Sequence, residues 1–578
     1  MTEEYFSNND GFLIEHNFTE ANQEVMYHTE SGFGFVTGAN GAKLPLLKIP
    51  ETNSGFIPKW WYGDNEMIEI QFSGRGCTWN PAPAVLQEDL NGRSIPLCFR
   101  QDVPGPGCYR LTLTLWSADD AGEVLVFAGR RRLAWRGEVL AGKEVTVTAL
   151  CDVSPIIPRG KNQPVFDPNV SFAIICSKGK ISLKKARIEK TWAHTVYIMG
   201  DSTVTDQTGD YPYAPGASYC GWGQMLGAFL PDGYCASNHA HSGLTTESFR
   251  SEGHWNVMKP LIKKGDICLM QFGHNDQKVD FLQADEGYTR RLEQYISEIE
   301  AVGAKPVLIS PVARNSWNNP QEYNDMLAAY AEAVTRLGRK RNVPVLDLHG
   351  YSMEIIRKAG LEGAKRWFYP SDYTHTNDYG AYKMAGFLGK ELQAVLGLMT
   401  KTLCDWEPKP PLTQLKPPEN CQLKPPEDTA DNLKVFAAER PEDPITRIEC
   451  LELVSQRMRF FPINVYNDLY DDVLGHETYA GTVQCAAQNH MIPDAFVTDG
   501  KLHPHRSMTL LEFVAVLMPA YASRKQLHKS ESIPEGIAQY AQEAVKLALG
   551  EKIVEYGEDW NALLSRRRAA QLCSAVEI

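Results

Sequence analysis

Open α/β sheets bind ligands beyond the C-terminal ends of their strands. Gly200-Asp201-Ser202-Thr203 sits at such a place, directly after the apolar run TVYIMG at 195–200. On its own, a serine there reads equally well as a helix N-cap. Three further segments change the reading. Ser242-Gly243 follows the weaker run GYCASN (233–238), and Phe272-Gly273-His274-Asn275-Asp276 continues the run DICLMQFG (266–273). Asp372 stands three residues before His375, with Asn377 and Gly380 beyond. Three of the four segments follow strands, so one sheet edge can gather them. Together they supply a nucleophile, backbone or amide donors, and an Asp–His pair. His239, His241 and His274 occur without HExxH or comparable spacing, so neither a metal nor a cofactor is expected.

The runs that carry these segments, with KPVLISPV (305–312) and VPVLDLH (343–349), have the length of buried strands. Between them, Leu327, Tyr330, Val334 and Leu337 repeat at helical spacing within Asn324–Arg341. This alternation predicts a mostly parallel, flavodoxin-like sheet with helices on both faces over residues 191–400. Residues 1–190 read differently. RLTLTLW (110–116), EVLVFAG (123–129), EVTVTALC (144–151) and VSFAIIC (170–176) predict a β-sandwich of jelly-roll type. Residues 401–440 read as a stiff linker, with seven prolines in 404–427 and QLKPPE repeated. Residues 441–578 read as helical, with Thr446/Glu449 and Thr509/Glu512 spaced as capping boxes.

The four chemical segments resemble the SGNH (GDSL) hydrolase superfamily, with Ser202, Gly243, Asn275 and His375 in the expected order. More narrowly, the chain resembles rhamnogalacturonan acetylesterases and related carbohydrate esterases. GDSTV (200–204), GWGQ (221–224), FGHND (272–276), PVARNSW (311–317) and DYTHTNDYGA (372–381) carry that likeness. It implies attack by Ser202, with His375 as base and then acid, and Asp372 orienting the imidazole. The oxyanion donors would be the N–H groups of Ser202 and Gly243 and the Asn275 amide. Asp201, His274, Arg314 and Trp317 are candidate substrate-binding residues. Leu244 follows Gly243 where those acetylesterases often carry arginine, which bears on sugar contacts rather than on the backbone donor. A GxSxG elbow is absent around Ser202, against an α/β-hydrolase fold.

The expected function is deacetylation of pectic, foremost rhamnogalacturonan, oligosaccharides. The alternatives are an acetyl xylan or mannan oligosaccharide esterase, and a lysophospholipase or thioesterase of the same superfamily. The flanks bear on partners. Trp60, Trp61, Tyr62, Trp79 and Arg130-Arg131-Arg132 make the first region a candidate carbohydrate-binding module. It resembles β-sandwich modules that precede some pectin acetylesterase domains. With ITRIE (445–449) as a partial copy and YAGTVQCAAQNHMIP through GKLHPHRSMTLLE (479–512) as a fuller one, residues 441–525 resemble S-layer homology repeats, for which a structural or oligomerisation role is expected. A homo-oligomer would form through either flank. With 58 Lys+Arg against 71 Asp+Glu, the formal charge of −13 argues against nucleic-acid and anionic-membrane partners. No run reaches membrane-span length, and MTEEYFSNNDGF lacks a signal-peptide pattern. Thirteen scattered cysteines without a CxxC pair fit a reducing compartment. The expected location is therefore cytoplasmic.

Overall fold

The computed structural model describes residues 11–18, 27, 30–35, 38–39, 54–58, 67–71, 84–86, 96–157, 163–177, 180–207, 213–319, 322–370, 372–408, 429–458, 460, 470–473 and 479–576. Trp60, Trp61, Tyr62, Trp79 and the proline-rich stretch 409–428 lie outside the described residues.

The N-terminal region is built from antiparallel sheets. One runs Leu13–Asn17, Lys180–Thr191, Gly107–Trp116, Glu144–Val153, with Ala84–Leu86 pairing Lys180–Thr191. A second runs Arg132–Glu138, Glu123–Ala128, Asn169–Cys176, Leu97–Asp102, Phe33–Phe35. Side chains alternate across a strand, and the two sheets use that alternation differently. In Gly107–Trp116, Leu111, Leu113 and Leu115 point into the space between the sheets while the intervening threonines stay half-buried. In Glu123–Ala128, Val124 and Val126 join that same core, but Leu125 and Phe127 join a second one. Ile174 and Ile175 divide in the same way. The second core is shared with Val196, Ile198, Trp222, Met225 and Leu226 of the following region. The second sheet is thus covered on both faces, which is why Glu123–Ala128 and Asn169–Cys176 are nearly continuous apolar runs.

Two residues beyond the last antiparallel strand begins a five-stranded parallel sheet: β1 His194–Gly200, β2 Tyr234–Asn238, β3 Ile267–Gln271, β4 Lys305–Ile309 and β5 Val345–Leu346, in the order β2-β1-β3-β4-β5. Helices α1 Trp222–Leu226 and α5 Asp378–Leu396 pack with Val196, Ile198, Leu269 and Val307 on one face. Helices α2 Thr289–Ala301 and α3 Ala328–Arg341 pack with Tyr197, Met199, Cys268 and Leu308 on the other. The run 343–349 yields only a two-residue strand, because the Asp347 carboxylate accepts the Gly350 N–H and caps α4 Leu348–Ala364. Helix α3 starts later than the periodicity predicts, at Ala328, after the Asp325 carboxylate has taken up the Leu327 N–H.

The region assigned to a linker ends in a helix. In α6 Thr429–Ala438, Leu433 and Phe436 pack into the C-terminal core. That core also gathers α7 Arg447–Arg457, α8 Ala480–Gln488, α9 Leu510–Ala522, α10 Gln542–Gly550 and α11 Arg566–Ser574. Both predicted capping boxes are present, at Thr446/Glu449 and Thr509/Glu512. A third cap, Ser565 opening α11, is one the sequence reading passed over. The residues just before the three caps form a ring. Ile445 N–H donates to Leu564 O (2.8 Å), Leu564 N–H to Met508 O (2.9 Å) and Met508 N–H to Ile445 O (2.9 Å). Charges follow the ring: Arg566 contacts Glu449, and Arg447 lies 3.6 Å from Glu512. The third link lacks both partners, since Leu510 follows Thr509 where arginine follows the other two caps, and Arg568 lies three past Ser565 where the other two caps have glutamate. Among the described residues no helix is long and apolar enough to cross a membrane.

Candidate active site

The strand order 2-1-3-4-5 reverses direction between β1 and β3, and loops at such a switch point open a crevice. The loops after β1 and β3 are those of Ser202 and Asn275. The nucleophile loop is tightly packed from below. A Cβ on Gly223 would lie 2.4 Å from Val204 O, so the GWGQ segment accepts only glycine there. Trp222 N–H donates to Thr203 O (3.1 Å), and its indole donates to Gln271 Oε1 (2.8 Å). Gln271 in turn donates to Thr203 Oγ1 (2.7 Å).

Ser202 Oγ lies 2.7 Å from His375 Nε2, and His375 Nδ1 lies 2.8 Å from Asp372 Oδ2. The other Asp372 oxygen accepts the backbone N–H groups of Thr374 (2.6 Å) and His375 (2.9 Å), a turn that presents both side chains together. All three residues are buried, with Ser202 the most open at 9% exposure. His241 N–H donates to Gly200 O (3.1 Å), laying the Gly243 loop beside the nucleophile loop. Gly243 has φ +85°, the left-handed region that favours glycine. Asn275 Nδ2 donates to Leu244 O (3.1 Å), and Lys278 Nζ donates to Asn275 Oδ1 (3.2 Å). Those two contacts fix which way the amide faces. The arrangement can take a proton from a serine hydroxyl and hand it on.

The four candidate substrate residues are all buried. Asp201 and His274 are buried under the nucleophile loop. Asp201 Oδ1 accepts from Thr203 N–H (2.9 Å) and Oγ1 (2.7 Å), and Oδ2 lies 3.3 Å from His274 Nδ1. His274 Nε2 faces Val312 O at 2.9 Å. Burial works to raise the Asp201 carboxyl, but the His274 ring and Thr203 outweigh it and hold it below its ordinary value. Arg314 is buried, and one of its amino groups donates to His274 O (3.2 Å). Trp317 is buried against Trp367 and Phe368, its indole donating to Asn315 Oδ1 (2.7 Å). A polar residue beside a reactive motif is thus used to hold the motif's loop. Asp276 behaves likewise. It accepts from Thr246 and from Gly273 N–H, and burial pushes its carboxyl up to about 6.

The arginine run is also turned inward. Arg130 and Arg132 each lie 2.9 Å from Asp206, and Arg131 lies 2.5 Å from Asp378, so these side chains join the antiparallel sheets to the parallel one. Lys278, Gln207 and Tyr219 complete the surroundings, and no sequence motif marked them. Lys278 alone had a usable signal, its three-residue spacing from Asn275. Among the described residues no group of three His, Cys, Asp or Glu could hold a metal.

The GDSL-like lipase/acylhydrolase family model matches residues 198–382. Rhamnogalacturonan acetylesterase RhgT of Bacillus subtilis (strain 168) is 31% identical over 219 residues, 36% of this chain and 92% of that protein. This chain belongs to the GDSL acylhydrolase family. This GDSL acylhydrolase is also similar to the probable rhamnogalacturonan acetylesterase YesY of the same organism, 33% identical over 214 residues, 36% of this chain and 95% of that one. Among solved structures, the acetylxylan esterase Axe2 of Geobacillus stearothermophilus aligns with 36% of this chain and 96% of its own, at 18% identity and a TM-score of 0.28. An esterase activity follows from the family; the flanking regions lie outside the matched residues.

Proposed function

We propose that this GDSL esterase removes O-acetyl groups from pectic oligosaccharides, with rhamnogalacturonan as the leading substrate, through Ser202, His375 and Asp372. The observation that carries the chemistry is the unbroken contact series from Ser202 Oγ to His375 (2.7 Å) and from His375 to Asp372 (2.8 Å). The substrate class is supported by the two Bacillus relatives, which align over 92% and 95% of their lengths.

Ser202 Oγ attacks the acetyl carbonyl carbon while its proton passes to His375 Nε2. Asp372 keeps Nδ1 protonated and stabilises the imidazolium. The oxyanion is met by the Ser202 and Gly243 N–H groups and by the Asn275 N–H that Leu244 leaves unused. The loss of one such donor costs about 2.7–4 kcal/mol of barrier. The tetrahedral centre collapses with the sugar oxygen leaving on the proton held by His375. Water then attacks the acetyl-serine, its proton passing to His375, and collapse releases acetate as His375 returns that proton to Ser202 Oγ. Acetate release from acetylated pectic, xylan and mannan oligosaccharides, by the wild type and by Ser202→Ala, tests the proposal. Release confined to the pectic member and abolished in the variant is expected. Turnover retained by Ser202→Ala overturns the mechanism; release from xylan or mannan alone overturns the substrate.

A further inference from the structure

We infer that Arg131, which the antiparallel sheets supply from outside the family's matched region, is a positioning residue for the Ser202–His375 pair. The inference rests on the reading of Ser202 as nucleophile. Arg131 sits at the tip of the hairpin joining Glu123–Ala128 to Arg132–Glu138, at φ +55°. A residue other than glycine held in that region marks a conformation imposed by its surroundings.

The Arg131 side chain is wholly buried and reaches both loops of the site. On the serine side, its guanidinium donates to Gln207 O (3.3 Å), and the Gln207 side chain donates to the carbonyl of Ser202 itself. Arg130 and Arg132 hold the preceding residue, Asp206, so the loop is gripped at two consecutive positions. On the histidine side, Arg131 donates to Asp378 Oδ1 (2.5 Å), three residues past His375. It also donates to the carbonyl of Tyr219. Tyr219 stacks on Tyr369 (3.6 Å) and sets its ring edge-on to His375 (5.7 Å). Its neighbour Cys220 exchanges hydrogen bonds with Thr376, Cys220 N–H to Thr376 O at 3.0 Å and Thr376 Oγ1 to Cys220 O at 2.6 Å.

The 2.7 Å Ser202–His375 contact joins residues 173 apart in sequence. One guanidinium bonded to both supporting loops sets their separation. A misplacement of about 1 Å at a reacting pair can cost on the order of 100-fold in rate. The Bacillus relatives match over 92% and 95% of their lengths, leaving little chain for a counterpart of these sheets. Arg131 itself lies outside the residues 198–382 that the family model matches.

The test uses the full chain. Arg131→Lys, Arg131→Met and the double variant Arg131→Met/Asp378→Leu are compared with wild type and Ser202→Ala. Readouts are kcat and KM on 4-nitrophenyl acetate, the rate of Ser202 labelling by an alkyl fluorophosphonate, and the thermal midpoint. The double variant replaces the buried ion pair by apolar side chains, a change that proteins often tolerate without loss of stability. The expected result is a fall in kcat and labelling rate of about 30-fold or more in both methionine variants, with KM within threefold. Arg131→Lys should recover part of the loss. Wild-type kcat in a folded Arg131→Met or double variant overturns the inference. So does a loss that tracks the unfolded fraction alone. Failure of both methionine variants to fold also counts against it, because the contact would then serve the fold rather than the site. If Ser202 of the wild type is not labelled, the reading of the nucleophile itself has failed, a result distinct from unaltered Arg131 variants.

Discussion

Asn275 and Lys278 show how a single amide is made useful. The Asn275 carbonyl accepts from Lys278 and its amino group donates to Leu244 O, so its remaining N–H has one direction left to point. Asn275→Ala should lower kcat by about 100- to 1,000-fold. Lys278→Met should lower it about tenfold, the size of one lost charged hydrogen bond, with KM unchanged. Initial rates on an activated acetyl ester read both. Asp276 carries a pH signature instead. Burial raises its carboxyl to about 6 in the folded chain, above the ordinary value of about 3.9. The folded state therefore holds the proton more tightly, and this contribution to stability falls as pH rises from about 4 to about 6, then stays flat. Two pKa units correspond to about 3 kcal/mol. Asp276→Asn should gain about that much relative to wild type between pH 4 and pH 7 in urea unfolding, and parallel pH curves would refute it.

At the level of elements, caps and tight packing decide where segments begin. The side chains of Thr446 and Thr509 each accept the N–H of a glutamate three residues on, and each glutamate reaches back to the threonine N–H. Thr509→Ala should cost about 1 kcal/mol by denaturant midpoint, since the cap bond is lost while the buried helix stays in place. Of the four apolar runs read as strands in the parallel sheet, three became strands of five or seven residues, and the weaker GYCASN run became one of five. The fourth run, VPVLDLH, shrank to two residues because Asp347 prefers to cap the next helix. Capping chemistry was also the reliable signal in the C-terminal region, where two of the three ring-forming caps carried the full pattern. The third escaped because Arg568 replaces the glutamate that would have completed it.

For the whole molecule, the interface between the antiparallel and parallel sheets is the dominant feature. Leu125, Phe127 and Ile175 share a core with Val196, Trp222 and Met225, and buried arginines tie the same surfaces together. A chain starting at residue 191 would expose that core and should aggregate or lose turnover, as read by gel filtration and esterase assay. Removal of residues 441–578 should alter solubility or association far more than kcat, because the helical region reaches the catalytic part through surface contacts such as Arg524 on Glu322 (2.6 Å). A tenfold fall in kcat would refute that independence.

The change from antiparallel to parallel sheet was legible in the sequence, as was the placing of Ser202 and Asn275 just beyond strands. Each is written in local pattern: apolar runs of strand length, turn residues, and reactive types placed after strands. The proposed triad needed no more, since Asp372 and His375 share one turn and Ser202 follows one strand. Charged residues whose partners lie far along the chain could be paired only once the chain was folded. Arg131 meets Asp378 across 247 positions and Asp201 meets His274 across 73, distances over which no periodicity speaks. A charged side chain next to a reactive motif reads in sequence as a ligand contact. Once buried, it must find an opposite charge or a carbonyl, and that requirement sets the partners these residues have.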